Sequence, residues 1–240
     1  VFSFFIYGDA NFYLLDNRTY REGDEHLKPF DRERNLLGMD QVDWLISSLK
    51  YNQGQATEGY APSYPASFNI ICIGNPVLGD NGAGDSYQLW DQEYQYLVDR
   101  LMEEGIDGVV FLSGDVHFSE VNLVEFKGGG KPGVPGKAGI KGETYRFIEF
   151  TSSPLTSGPF KGPEETSTRY DIFPAEMNQI KARNFSTLEF TGPMKDRKMT
   201  VRYFDTSGKL LNQKEGAQKG TVTDASIISE SWLKAPQRRK

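Results

Sequence analysis

"GVVFLSGDVHFSEV", residues 108–121, decides the architecture. Residues 109–112 form an unbroken apolar run, which is what a strand covered on both faces requires. Gly114 then permits a sharp turn, Asp115 and His117 follow, and a second strand is predicted over 119–126. Where parallel strands alternate with helices, ligands gather beyond the carboxyl ends of the strands. A carboxylate and an imidazole at such a strand end suit Fe, Mn or Zn. The same residues also describe an ordinary turn with a capping Asp, so the four letters leave both readings open.

The surroundings make the strand reading specific. Upstream, "FNIICI" reads as a buried strand over 68–73, and Cys72 within it as a small buried hydrophobe. Between the two strands, Tyr94, Leu97, Val98, Leu101 and Met102 recur at helical spacing, and Gly105 supplies a stop, so a helix is predicted over 91–104. Strand, helix and strand in that order form a βαβ unit with a parallel pair. A further helix is expected in "LLGMDQVDWLISSLK", where Val42, Leu45, Ile46 and Leu49 make one apolar stripe. Other strands are predicted near 1–7, 11–15, 144–150, 185–190 and 199–204; in the last, Met199, Val201 and Tyr203 share a face. The later strands follow one another without helices, which suits antiparallel order.

Composition sets outer bounds. With 38% hydrophobic residues over 240 positions the chain can fill a core, which excludes general disorder. A net charge of −6 lacks the basic face that a nucleic-acid backbone demands. No stretch approaches the ~18 apolar residues of a membrane span. One cysteine allows no internal disulfide. Glycine recurs at every third position from Gly130 to Gly142, too few triplets for a collagen helix, so residues 128–142 are expected to be a mobile hairpin tip. The tail "LKAPQRRK" reads as a solvated terminus. His26, the other histidine, lies in a charged loop, and Asp9 reads as a turn residue between two strands.

"LSGDVHFSEV" resembles the last metal-binding motif of the calcineurin-like metallophosphoesterases, in the GDxH form of the PhoD-like alkaline phosphatases. The resemblance runs in order along the chain. "FFIYGDANFYLLDNRTYR" is similar to the family's strand–turn–strand with a D-x-R-x-x-R end, and "LLGMDQVDWLISSL" to its LG-x-x-Q-x-x-WL helix. "QLWDQEYQYLVDRL" is similar to the Trp-led helix before the GDxH strand. "RFIEFTSSPLTSG" and "NFSTLEF…MTVRYFDTSGKLL" resemble the segments that close the domain. The implied fold is α/β: the C-terminal half of a metallophosphoesterase-type β-sandwich flanked by helices, with a mixed sheet and αββα layers. Residues 1–212 would be part of one such domain and 213–240 a C-terminal extension.

The resemblance implies hydrolysis of phosphomonoesters or phosphodiesters by metal-activated water, without a covalent enzyme intermediate. It makes Asp115 and His117 metal ligands and places Arg18 and Arg21 near the active-site mouth. Arg18 is the candidate phosphate contact, with pairing to Asp16 or Asp24 as the competing reading. Asn75 and Ser119, and with them Thr151 and Ser152, are candidates to line the pocket. The implied cofactor is a dinuclear centre of Fe, Ca, Zn or Mn, and the implied location is the periplasm or cell exterior.

Two metals need more ligands than Asp115 and His117 supply. The family's earlier metal motifs are not found between Val1 and the GDxH segment. The chain is therefore expected to be a fragment, inactive alone, whose partners are a small phosphoester and a missing N-terminal half. Strand 1–7 is then expected to expose apolar surface or to associate. The alternative is a non-enzymatic α/β domain that binds a protein partner or carbohydrate through the aromatic loop "EGYAPSYPASF".

Overall fold

A computed structural model describes residues 1–23, 34–53, 66–79, 86–130, 138–162, 179–211 and 227–237, together with the backbone of 213–215 and 222–224. Asp24, His26 and most of "EGYAPSYPASF" lie outside the described residues.

The chain opens with the hairpin β1 (Ser3–Tyr7) and β2 (Ala10–Leu14), whose turn holds Gly8 at φ 62° and ties Asp9 to Arg197 by an ion pair. Asp9 is thus a turn residue. Next come α1 (Met39–Asn52), β3 (Phe68–Cys72), α2 (Asp91–Glu103), β4 (Val109–Ser113), β5 (Glu120–Lys127) and β6 (Thr144–Thr151). The main sheet runs β1-β2-β3-β4-β6-β5; β2, β3, β4 and β6 are parallel, and the outer strands β1 and β5 are antiparallel. A second, antiparallel sheet is built from β7 (Asn184–Thr191), β8 (Lys198–Asp205) and β11 (Ile227–Ser229) in the order β11-β8-β7. Between β8 and β11, the short β9 (Gln213–Glu215) and β10 (Val222–Asp224) pair with each other.

Alternation along the central strands creates two cores. Val109 and Phe111 of β4, with Ile71 of β3 and Phe147 of β6, face α1 and α2. Val110 of β4, with Ile70, Ile148 and Phe150, faces the second sheet and meets Met199, Val201 and Tyr203. β4 is therefore apolar on both sides because both sides are covered. Truncating Phe111, which is fully buried, to Ala removes this packing at about 3–5 kcal/mol. The predicted stripe of α1 is buried at all four positions, and α2 buries Leu97, Val98, Leu101 and Met102. Gly105, at φ 58°, ends α2 as expected, and Ile106 donates back to the carbonyl of Leu101 at 3.1 Å.

Three of the four expected layers are present among the described residues: helices, main sheet and second sheet. The described helices α1 and α2 both pack against the same face of the main sheet. The base of the glycine-rich segment closes a hairpin, with Gly128 donating to Glu143 and Gly142 to Gly128; residues 131–137 lie outside the described residues. The first part of the tail departs from the solvated reading, and its basic end, residues 238–240, lies outside the described residues. Lys234 and Ala235 both bond the Asp107 carboxylate and the Leu233 carbonyl accepts from Gly108, so this segment packs beneath the entry to β4.

Candidate active site

Three parallel strands end side by side, and the residues just past each end converge. β2 continues into Asn17 and Arg18, β3 into Gly74 and Asn75, and β4 into Gly114 and Asp115. These six residues, with Cys72 at the end of β3, line an open depression of about 640 Å³. This is the strand-end crevice expected of an α/β sheet.

Gly74 leaves room for the Asn17 amide at the floor. A Cβ there would stand 2.7 Å from Nδ2 of Asn17, which instead donates to Oδ1 of the buried Asn75. The Gly114 N–H donates to the Gly74 carbonyl at 3.3 Å, which joins the second and third segments. Asp16 bends the first segment by accepting the N–H groups of Arg18 and Thr19, both at 3.0 Å. Of the two pairings that compete for Arg18, Asp16 holds its backbone and not its guanidinium, and Asp24 lies outside the described residues. The Arg18 side chain is exposed and has no hydrogen bond or ion pair among the described residues.

The GDVH turn has unusual backbone. Asp115 and His117 both hold left-handed conformations, φ 71° and 61°, while Val116 between them is buried. His117 is held from both sides: its N–H donates to Oγ of Ser153 at 3.2 Å and its carbonyl accepts from Phe160 at 2.9 Å. Its Nε2 lies 3.3 Å from Oγ of Ser157. Both side chains are exposed, with Asp115 lining the depression and His117 outside its lining.

A buried acid supports the middle segment. Glu149 of β6 accepts the N–H groups of Val77, Leu78 and Gly79 at 2.7, 2.8 and 3.0 Å. Burial still raises its pKa, outweighing these donors and the hydroxyl of Ser113. Burial likewise pushes the Cys72 thiol up to about 11.

Asp115, Arg18 and Asn75 thus meet in the depression. Ser119 does not: it is fully buried, and its hydroxyl bonds Ser153 and Asn184, so it braces the loop that holds His117. Thr151 is also buried, against Ser113. Arg21 lies over the Trp90 ring at 5.1 Å rather than in the lining. Asn17 and Cys72 are pocket residues that the sequence reading did not place there. Asn17 was accessible in principle, because it sits just past the end of a predicted strand.

Asp115 and His117 have the donor chemistry of a metal corner. Among the described residues, however, no three His, Cys, Asp or Glu side chains come together to hold an ion. Asp115 and His117 thus bring suitable donor types to one strand end, and the described residues do not make up a whole centre.

A mixed sheet packed on an antiparallel one, with a polar crevice at the parallel strand ends, defines an α/β sandwich. The chain belongs to the PhoD-like phosphatase family, whose model matches residues 1–202. Alkaline phosphatase D of Bacillus subtilis (strain 168) is 28% identical over 124 residues, 48% of this chain and 21% of that protein. A solved structure of PhoD superposes with a TM-score of 0.56 at 18% identity, over 95% of this chain and 43% of that one, a likeness that speaks to fold alone. The chain spans less than half the length of these relatives.

Proposed function

We propose that the chain is the C-terminal part of a metal-dependent phosphoesterase that hydrolyses phosphomonoesters or phosphodiesters. The observation that carries the reading is the Asp115 carboxylate, set by a left-handed turn at the end of β4 into the depression that Arg18 and Asn75 also line. Asp115 and His117 hold metal. Arg18 takes the non-reacting phosphoryl oxygens through its planar fork of donors. Asn75, fixed by Asn17, offers its amide to the same group. A bound Fe, Ca, Zn or Mn centre supplies water activation and charge neutralisation at phosphorus.

In this proposal the remaining ligands, which the described residues do not supply, come from polypeptide outside these 240 residues, and the chain alone is inactive. The exposed strand β1, with Phe5 at 47%, Ile6 at 58% and Tyr7 at 70% exposure, offers an open sheet edge for that other part. Export to a periplasm or cell surface belongs to the same reading, and no described helix is long and apolar enough to cross a membrane.

The test is hydrolysis of p-nitrophenyl phosphate and bis-p-nitrophenyl phosphate with metals added, by the chain alone and joined to the remainder of the domain. Turnover is expected only in the joined protein and is expected to be lost in its His117→Ala form. Equal turnover by that variant removes His117 from the site.

A further inference from the structure

The loop that carries Arg18 is held by a residue that touches neither the depression nor any proposed ligand. Gln41 is the third residue of α1 and is 1% exposed. A carboxamide so placed is costly unless every polar atom is paired. Its pairing has a single main target. Oε1 accepts the N–H of Asp16 at 2.7 Å, and Nε2 donates to the Asp16 carbonyl at 2.9 Å. Nε2 also donates to the Leu37 carbonyl at 2.9 Å. The side chain therefore grips both main-chain polar groups of one residue, as a neighbouring strand would, just beyond the point where β2 ends.

A Gln at this helix position ordinarily turns back to the N-cap N–H. Here that group is already taken. Glu93 of α2 accepts the N–H groups of Leu36, Leu37 and Gly38 at 3.0, 2.8 and 2.9 Å, and the Tyr87 hydroxyl at 2.8 Å. Glu93 thus satisfies the start of α1 and leaves Gln41 free to reach across to Asp16. The two residues after Asp16 are Asn17 and Arg18, the contribution of this loop to the depression. Asp16 in turn binds the N–H groups of Arg18 and Thr19, so a fixed Asp16 fixes the peptide that bears the guanidinium.

We propose that Gln41 is a positioning residue of the anion-binding end of the site: its carboxamide clamps the Asp16 peptide and so sets Asn17 and Arg18 at the mouth of the depression. The proposal deepens the phosphoesterase reading and rests on it. Gln41 acts wholly through the loop. The long exposed Arg18 side chain has no partner of its own among the described residues, so its aim depends on its backbone.

The experiment uses the 240-residue chain with two variants. Gln41→Ala removes the clamp; Gln41→Glu keeps its volume and the acceptor for the Asp16 N–H while losing both donated bonds, which keeps the test valid if the alanine form folds poorly. Amide hydrogen exchange is read residue by residue, and inorganic phosphate is titrated into wild type, each variant, Arg18→Ala and the double variants. The Asp16, Arg18 and Thr19 amides are expected to exchange at least about tenfold faster in the variants, with those of 109–113 unchanged. Phosphate is expected to bind about tenfold more weakly in each Gln41 variant, and Arg18→Ala is expected to absorb that loss, so that the double variants match the single. Unchanged exchange at Asp16, or full additivity with Arg18→Ala, overturns the proposal. Loss of protection in the variants with no phosphate binding even by wild type overturns the phosphate site and leaves the clamp standing.

Discussion

Asp115 and His117 stand two residues apart with positive φ, 71° and 61°, on either side of the buried Val116. Left-handed backbone costs a non-glycine residue about 1–2 kcal/mol, and strain of this kind concentrates at functional sites. Asp115→Gly is expected to raise the unfolding free energy by about 0.5–1 kcal/mol while abolishing phosphoester turnover in the complete protein. Denaturant midpoints and turnover, measured together, check this. A lower midpoint would show that the turn is not strained at Asp115.

Arg18 is exposed and has no hydrogen bond or ion pair among the described residues, so its removal takes away no side-chain bond to them. In the complete protein, Arg18→Ala is expected to raise KM about tenfold or more, with stability unchanged within about 0.5 kcal/mol. Arg18→Lys keeps the charge and loses the bidentate fork, and is expected to fall between the two. A KM equal to wild type in both variants separates Arg18 from substrate.

Glu149 has a folded pKa raised above its ordinary value of 4.5, chiefly by burial. The folded chain therefore keeps the proton to higher pH than the unfolded one. That contribution to stability is complete below 4.5 and is lost as pH rises through the raised value. Glu149→Gln carries no such titration, so the difference in stability between the two proteins is expected to shift with pH in that window. Glu149→Ala leaves the N–H groups of Val77, Leu78 and Gly79 without their acceptor and is expected to cost about 3–5 kcal/mol. Urea denaturation across the pH series measures both effects; parallel curves for wild type and Glu149→Gln would contradict the first.

Cys72 lines the depression, and its thiol is pushed up to about 11 from 9.0 by burial. At neutral pH it holds roughly a hundredth of the thiolate of an exposed cysteine, and alkylation by iodoacetamide is expected to be slower in proportion. The rate should climb toward pH 11 and fall when inorganic phosphate occupies the depression. A rate indifferent to phosphate places the anion elsewhere.

Strand β1 presents Ile6 at 58% exposure on an edge that carries no charged residue. Ile6→Lys is expected to change stability by less than about 0.5 kcal/mol and to reduce concentration-dependent association of the chain, since a charge on an edge strand opposes further pairing. Light scattering over a concentration series reads this directly.

Strand and helix positions were legible because they rest on local periodicity. The apolar run ahead of Gly114 became β4, and the stripes of α1 and α2 became their buried faces, since each pattern reports which side a neighbour covers. The GDVH corner was legible as residue types at a strand end. Its left-handed backbone was not, because the bonds that hold His117 come from Ser153 and Phe160, far along the chain. Ser119 misled for the converse reason: two positions from His117 in sequence, it turns into the interior to bond Ser153 and Asn184.

The sequence by itself determined the order of elements, the two-sided burial of the central strands and the residue types that β4 delivers to its end. Only the tertiary structure decided that Asn17, Arg18, Asn75 and Asp115 share one depression. Only it shows that Gln41, Glu93 and Glu149 hold the loops that carry or support them. Local patterning reports the environment of a residue's own element, whereas a buried side chain that binds a distant backbone is placed by packing between elements, which no short window of sequence contains.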